Sequence, residues 1–194
     1  MKKLCTLFIM ATFSVAFISC GNQNKQEDST EVAEEQNEQK FEESNLEKDT
    51  DFAVKAADGG MLEVQLGKLA ATNGASPEVK KFAQMMVDDH TKANDELKAL
   101  ALQKNITLPT ALSDKHQKKY TDLSEKTGEE FDKDYIDFMV SDHKDVIDLF
   151  EKQAEDGNDA DIKAWAAGKV PTLRHHLEMA QAAEDVVKNN NNNN

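Results

Sequence analysis

Two segments of the chain repeat the same order of an aromatic residue, a methionine, a histidine and two apolar residues. The steps within each segment are four, four, three and four residues, so all five side chains lie along one stripe of an α-helix. The first set is Phe82, Met86, His90, Ala93 and Leu97, and the second is Tyr135, Met139, His143, Val146 and Phe150. A histidine therefore lies in the apolar seam of each helix, where a helix bundle places either its core or its ligand site.

A third histidine and one glutamate are predicted to face the same interior. On a helical wheel His176 lies among leucines and alanines, whereas His175 points to the opposite side. Glu63 is the single carboxylate on a stripe of small residues in an earlier helix. Counted from the predicted hairpin loops at about 1.5 Å per residue, Glu63, His90, His143 and His176 fall near one layer. Three imidazoles and one carboxylate are a ligand set for a transition metal.

Three methionines extend this predicted ligand set. Met86 and Met139 each precede a histidine by one turn, and Met179 follows the third histidine by three residues. Thioether and imidazole together suit copper, and imidazole also suits zinc. The chain contains no Glu-x-x-His sequence, which the di-iron centres of helix bundles require. The sequence therefore favours copper or zinc over a di-iron centre.

The same side chains also have a purely structural interpretation. Methionine commonly fills irregular helical cores, and a buried imidazole can bond an acid or a carbonyl on the next helix. Asp89 and Asp142, which directly precede His90 and His143, are acids of that kind. Three functions stay open. The leading interpretation is a binding or stress-related module of non-enzymatic or unproven activity, and the others are a metal-dependent oxidoreductase and a structural or interaction protein. His116 and His175 are predicted to be surface residues rather than ligands.

The elements that must position these residues are predicted to be helices throughout. No useful length of chain alternates β-branched with polar residues. Ser76-Pro77 and the capping-box pattern Thr127 to Glu130 open two helices, while Gly74 and Gly157 follow two helix ends. Four long helices are predicted at about 51–73, 76–104, 127–156 and 159–188, the last containing Pro171, with a short amphipathic one at 112–126.

A second, weaker repeat relates the first two long helices to the last two. It matches Asp51-Phe52, Leu66, Gly74 and Phe82 with Asp134-Tyr135, Leu149, Gly157 and Trp165. Two similar antiparallel hairpins joined by a long crossover form a ferritin-like four-helix bundle. We therefore predict an all-α bundle over residues 51–188, with a short extra helix in the crossover.

The two ends of the chain are predicted to lie outside this bundle. Residues 1–19 have a basic start and an apolar stretch, as in a signal peptide, and the sequence from Phe17 to Gly21 resembles the bacterial lipoprotein box. Cys20 would then carry the lipid anchor, and residues 20–50, rich in acids, would form a disordered tether. Residues 189–194 are a run of asparagines predicted to be a disordered tail.

Charge and cysteine content restrict the partners. The formal net charge of −14 argues against nucleic acid and against electrostatic attachment to anionic lipid. The membrane link is then the N-terminal lipid alone, in the cell envelope and most simply at the outer membrane, and no protein partner can be named. Cys5 would leave with the signal peptide, so neither a disulfide nor a cysteine-based metal site is predicted. Nucleophile arrangements, a phosphate-binding glycine loop and a dinucleotide fingerprint are absent from the sequence.

Three longer motifs carry a family resemblance. They are Met-Val-x-Asp-His at 86–90 and again at 139–143, Gly-x-x-Phe-Asp-x-x-Tyr at 128–135, and Val-Pro-Thr-Leu-Arg-His-His-Leu at 170–177. They resemble a family of bacterial predicted outer-membrane proteins that is assigned to the ferritin-like superfamily and labelled a domain of unknown function. The resemblance implies a ferritin-like fold and an exported location, and it supplies no established activity.

Overall fold

The structure is a computed structural model that describes residues 27–192, with side chains to residue 189. Its helices are α1 (Ser29–Phe41), α2 (Glu47–Asn73), α3 (Pro77–Lys104), α4 (Asp114–Ser124), α5 (Gly128–Asp156) and α6 (Ala160–Asn192). Residues 27–192 contain no β-strand, so the all-α prediction is confirmed for this range. None of the helices in this range combines the length and the apolar character needed to cross a bilayer. The predicted signal peptide and Cys20 lie outside the described residues.

Helix α1 occupies part of the segment that was predicted to be a disordered tether. Asp28 caps it by accepting from the backbone nitrogen of Thr30. Asn37 is buried and pairs with the backbone of Thr107: its Nδ2 donates to the carbonyl at 2.8 Å and its Oδ1 accepts from the amide at 2.7 Å. The structure therefore departs from the predicted tether over these residues. The acidic composition favours disorder, but two specific hydrogen bonds to a distant loop order the segment. The first and last of the four long helices also extend further than predicted, α2 starting at Glu47 and α6 reaching Asn192.

The four long helices form two hairpins that pack side by side. Helix α2 packs along α3 and α5 along α6, and the hairpins meet where α2 contacts α5 and α3 contacts α6. Helix α4 lies in the crossover and packs mainly on α2. Two apolar clusters fill the interior, one around Phe82, Phe131 and Tyr135, the other around Phe52 and Phe150. The three predicted site histidines fall between these clusters in chain position on α3, α5 and α6, and Glu63 of α2 directly follows Leu62, where the first cluster begins.

The loop of the first hairpin is closed by a buried carboxylate from the second. Asp132, near the start of α5, accepts from the backbone nitrogens of Ala75 at 3.1 Å and Ser76 at 2.6 Å. Gly74 ends α2 beside it, and a Cβ at this position would lie 2.8 Å from Asp132 Oδ1. Only glycine therefore lets the loop approach the carboxylate this closely.

The loop of the second hairpin is closed by a buried carboxylate from the first. Asp49, near the start of α2, accepts from the backbone nitrogen of Asn158 at 3.0 Å and from Gln153 Nε2 at 2.5 Å. Gly157 ends α5, and a Cβ there would lie 2.9 Å from Asp49 Oδ1. The offset that relates the two halves of the sequence places Asp49 on Asp132 and Gly74 on Gly157. The predicted similarity of the hairpins is therefore present in their contacts.

Candidate metal centre

The structure brings the four predicted residues together in the interior. Each long helix contributes one of them: Glu63 from α2, His90 from α3, His143 from α5 and His176 from α6. All four are buried, with 0% to 6% of each residue exposed. The ring centroids of the three histidines are 5.2 to 5.9 Å apart, and one nitrogen from each ring lies within 4.8 Å of the other two. The predicted convergence is thus observed, while metal binding itself stays a prediction.

Each imidazole has one nitrogen fixed by an acceptor outside the trio. A carboxylate or a carbonyl oxygen can only accept, so each of these ring nitrogens carries the hydrogen. The three bonds are His90 Nδ1 to Glu63 Oε2 at 2.8 Å, His143 Nδ1 to the carbonyl of Met139 at 3.0 Å, and His176 Nε2 to Asp89 Oδ2 at 2.9 Å. Partners of this kind orient metal-binding histidines and leave the other nitrogen free to bind the ion.

His90 and His176 approach each other closely enough to share a proton. Their facing nitrogens, Nε2 and Nδ1, are 3.3 Å apart, and two lone pairs would repel at this distance. Burial lowers the pKa of His90, but the Glu63 carboxylate outweighs burial and raises this pKa above its ordinary value. Burial lowers the pKa of His176 to about 4. A proton on His90 Nε2 can therefore be donated to His176 Nδ1, and a cation bound between the two rings would take its place.

Two buried acceptors face each other without a donor between them. Glu63 Oε1 and His143 Nε2 are 3.6 Å apart, and neither has a hydrogen-bond partner among the described residues. Burial raises the pKa of Glu63, but His90 outweighs burial and the carboxyl stays ionised, whereas burial lowers the pKa of His143 and keeps its ring neutral. Zinc bonds of about 2.0–2.2 Å to both atoms would subtend an angle of about 120° at this separation. The pair fits a shared cation.

Asp142 is a possible ligand that the sequence interpretation treated only as a hydrogen-bond partner. One atom each from Glu63, Asp142 and His143 lie within 4.8 Å of one another. The predicted single set of four is thus divided into two groups of three that share His143. Because its Nδ1 is bound to Met139, His143 has one free nitrogen, and one ion at a time can use it. The position of Asp142 directly before His143 was the only signal in the sequence.

The three methionines pack beside the layer. Met86 and Met139 are fully buried in the cluster around Phe82, and Met179 is partly buried against it. Met139 contributes its backbone carbonyl to His143. Packing is therefore their observed role, and their role as soft ligands stays a prediction.

The two remaining histidines differ from each other. His175 is exposed, with 59% of its side chain accessible, as predicted. His116 is half-buried: its Nδ1 lies 2.9 Å from Asp58 Oδ2, while Asp58 Oδ1 accepts from the backbone nitrogen of Ser113 at 2.9 Å. The prediction of a surface histidine fails for His116 because α4 packs against α2, which the α4 sequence alone does not show.

A cavity of about 120 Å³ reaches the layer from one side. His90, His176 and Glu63 line its polar end, and Gly59 and Gly60 of α2 line its wall. The layer is therefore adjacent to a space that a small molecule can occupy.

Comparison with known families gives a match over most of the chain. Residues 31–183 match the family described as a domain of unknown function, DUF4142. The chain belongs to the DUF4142 family. The DUF4142 match extends from α1 into α6 and includes every residue of the layer, so α1 is part of the family domain and not only a connection to it. A search of curated proteins found no match, and a search of solved structures also found none.

Proposed function

We propose that this protein is a binding module of the cell envelope, with a role in stress, that holds one transition-metal ion between its long helices. The observation that carries the proposal is the pair of unsatisfied buried acceptors, Glu63 Oε1 and His143 Nε2. An unsatisfied buried polar atom costs about 1–3 kcal/mol, and two facing acceptors require a cation or a donor. The ion would bind His143 Nε2 together with Glu63 and Asp142, or together with His90 and His176, and the second, nitrogen-rich set suits copper or zinc.

Metal binding is tested by replacing the shared ligand. His143→Ala removes the only nitrogen common to both three-residue groups, so we expect the affinity for Cu²⁺ or Zn²⁺ to fall by about 100-fold or more. Calorimetric titration of untagged protein, first treated with chelator, measures this loss. His175→Ala is the matched control, because its ring is exposed and bonded to none of the layer residues, and its affinity should stay that of the wild type.

A purely structural histidine network gives a different result. His143→Ala would then lower the free energy of unfolding by about 1–3 kcal/mol through unsatisfied buried partners, with no metal affinity in the wild type to lose. Absence of binding in the wild type, or equal affinity in both variants, would reject the metal proposal.

The fold and the location complete the proposal. The pairing of α2 with α3 and α5 with α6 around one interior supports a ferritin-like four-helix bundle with α4 in the crossover. The lipoprotein-like sequence around Cys20 supports anchoring by lipid, most simply at the outer membrane, without nucleic acid as a partner. Cys20→Ala should abolish labelling with a fatty-acid analogue and release the protein from the membrane fraction. Labelling that persists in this variant would reject the anchor.

A metal-dependent oxidoreductase is the second candidate. The adjacent cavity favours it, because three protein nitrogens leave a coordination position open in the manner of catalytic sites. If the metal-loaded protein consumes oxygen or peroxide and His143→Ala does not, the protein is an oxidoreductase. Stoichiometric binding without turnover would select the binding module.

A further inference from the structure

The cavity beside the layer has an apolar body. All four long helices contribute to it, and its apolar wall includes Ala56, Val146, Leu149, Phe150, Trp165 and Leu173. An engineered cavity of about 150 Å³ with similar walls binds benzene. A volume of about 120 Å³ therefore has room for an apolar group of roughly four or five carbon atoms.

The cavity occupies positions that correspond to the layer in the other half of the molecule. The offset that pairs Asp49 with Asp132 also pairs each layer residue with a cavity residue. These pairs are Glu63 with Val146, His90 with Leu173, His143 with Gly60, and His176 with Ala93. The counterparts of two imidazoles are thus glycine and alanine, and the side chain of Asn94 lies directly against Gly60. The bundle has one polar and one apolar version of the same position, side by side.

The charges around the cavity are unusual for such an acidic protein. Three lysines line it, Lys55, Lys92 and Lys169, against two acids, Glu63 and Asp89, whereas the formal net charge of the whole chain is −14. Lys169 is paired with Glu96. Lys55 and Lys92 are exposed and form no ion pair within the described part of the chain. Lys55 and Lys92 still interact at longer range with Glu34 and Glu96, but two ammonium groups without a close partner beside an apolar space favour a molecule with an anionic head and an apolar body.

We propose that this cavity binds a small monocarboxylate whose branched apolar body lies between Val146, Trp165 and Leu173 and whose carboxylate meets Lys55 and Lys92. The inference goes beyond metal binding, since none of these five residues belongs to the layer. A ligand seated here would also lie against His90 and His176, at the open side of the layer.

The only tryptophan of the chain reports on occupancy. Trp165 lines the cavity, so its fluorescence should change saturably when the chelator-treated protein is titrated with isobutyrate. Gly59→Leu should fill the cavity and weaken binding by about tenfold or more, which corresponds to about 1.4 kcal/mol. Gly168→Leu is the matched control, because a Cβ at either glycine meets no heavy atom within 4 Å and only Gly59 lines the cavity. Circular dichroism verifies that both variants are folded.

Isobutyramide tests the charge of the head group. It has nearly the same shape without the charge, so it should bind several-fold more weakly than isobutyrate. The double variant Lys55→Gln with Lys92→Gln should lower the affinity for isobutyrate to that for isobutyramide. No saturable change in the wild type, or an equal response in Gly59→Leu, would overturn the proposal, and equal affinity for acid and amide would overturn its carboxylate part. Because metal has been removed, failure here leaves the metal proposal standing, and the reverse also holds.

Discussion

The two hairpins are closed in the same way and differ in the middle. Asp132 and Asp49 each accept backbone hydrogen bonds from the loop of the opposite hairpin. In the middle, the first hairpin supplies a carboxylate and one imidazole, whereas the second supplies two imidazoles. A buried loop must have its backbone N–H groups paired whatever the protein does, but no such requirement fixes the central side chains. The similarity therefore serves folding, and the difference carries the chemistry.

The largest expected effect tests whether the two closures are equivalent. Asp132→Ala and Asp49→Ala each remove a buried carboxylate that accepts from partly buried N–H groups, and each should lower the free energy of unfolding by about 3 kcal/mol. Urea unfolding of both variants measures the loss. Asp156→Ala, an exposed aspartate on α5, is the control and should change stability by less than about 0.5 kcal/mol. A large loss of unfolding free energy in only one of the two variants, Asp132→Ala or Asp49→Ala, would contradict the equivalence.

A smaller effect tests a contact that only the first hairpin has. Asp58 of α2 pairs with His116, whereas the corresponding residue on α5 is the exposed Ser141. Burial opposes both charges, but the partners outweigh it, so the pKa of His116 is raised above 6.5 and that of Asp58 is lowered below 3.8. The His116 contribution to stability is complete below pH 6.5 and is lost as the pH rises through the raised pKa. The Asp58 contribution is complete above pH 3.8 and is lost as the pH falls through the lowered pKa.

The pair should therefore stabilise the protein most between these two values. His116→Gln should cost about 1–2 kcal/mol near pH 5.5 and clearly less near pH 9, as measured by urea unfolding at both pH values. His175→Gln should cost almost nothing at either pH, because its side chain is 59% exposed. A cost for His116→Gln that grows towards alkaline pH would exclude the charged pair.

The smallest effect concerns how closely the helices of each hairpin approach. A Cβ at Gly67 of α2 would lie 2.7 Å from Val87 Cγ2 and 2.9 Å from the carbonyl of Ala83, whereas the corresponding residue of α5 is Phe150. Gly67→Ala should therefore destabilise the protein by about 1 kcal/mol, even though alanine favours helix over glycine by a similar amount. Gly168→Ala, with open space at its Cβ, should stabilise by about 0.5–1 kcal/mol. Thermal unfolding of the two variants should show shifts of opposite sign.

Features set by neighbouring residues could be predicted from the sequence. Ser76 does cap α3, accepting from the backbone nitrogen of Val79, and the helix period with the hairpin lengths placed Glu63 and three histidines in one layer. Contacts between distant segments could not be predicted. The hydrogen bond of Asn37 with Thr107 and the pair of His116 with Asp58 form only when α1 and α4 pack on the bundle. The side chain of Thr127 makes no capping hydrogen bond, so the predicted capping box is wrong. The chain is held at this point by Asn73, whose Nδ2 donates to the carbonyl of Lys126.

The His143 ring is oriented by a hydrogen bond to the carbonyl of Met139, which lies on the same helix, α5. His90 and His176 are aimed by Glu63 and Asp89, which lie on other helices. If the helices separated, these two rings would lose the partners that orient them, whereas His143 would keep its own. An ion arriving from solvent would then be captured in a fixed order, first by the ring that is already set and afterwards by the two that close over it. The rate of capture would depend on how often the bundle opens, and the rate of release on how firmly the loops at its two ends hold it shut.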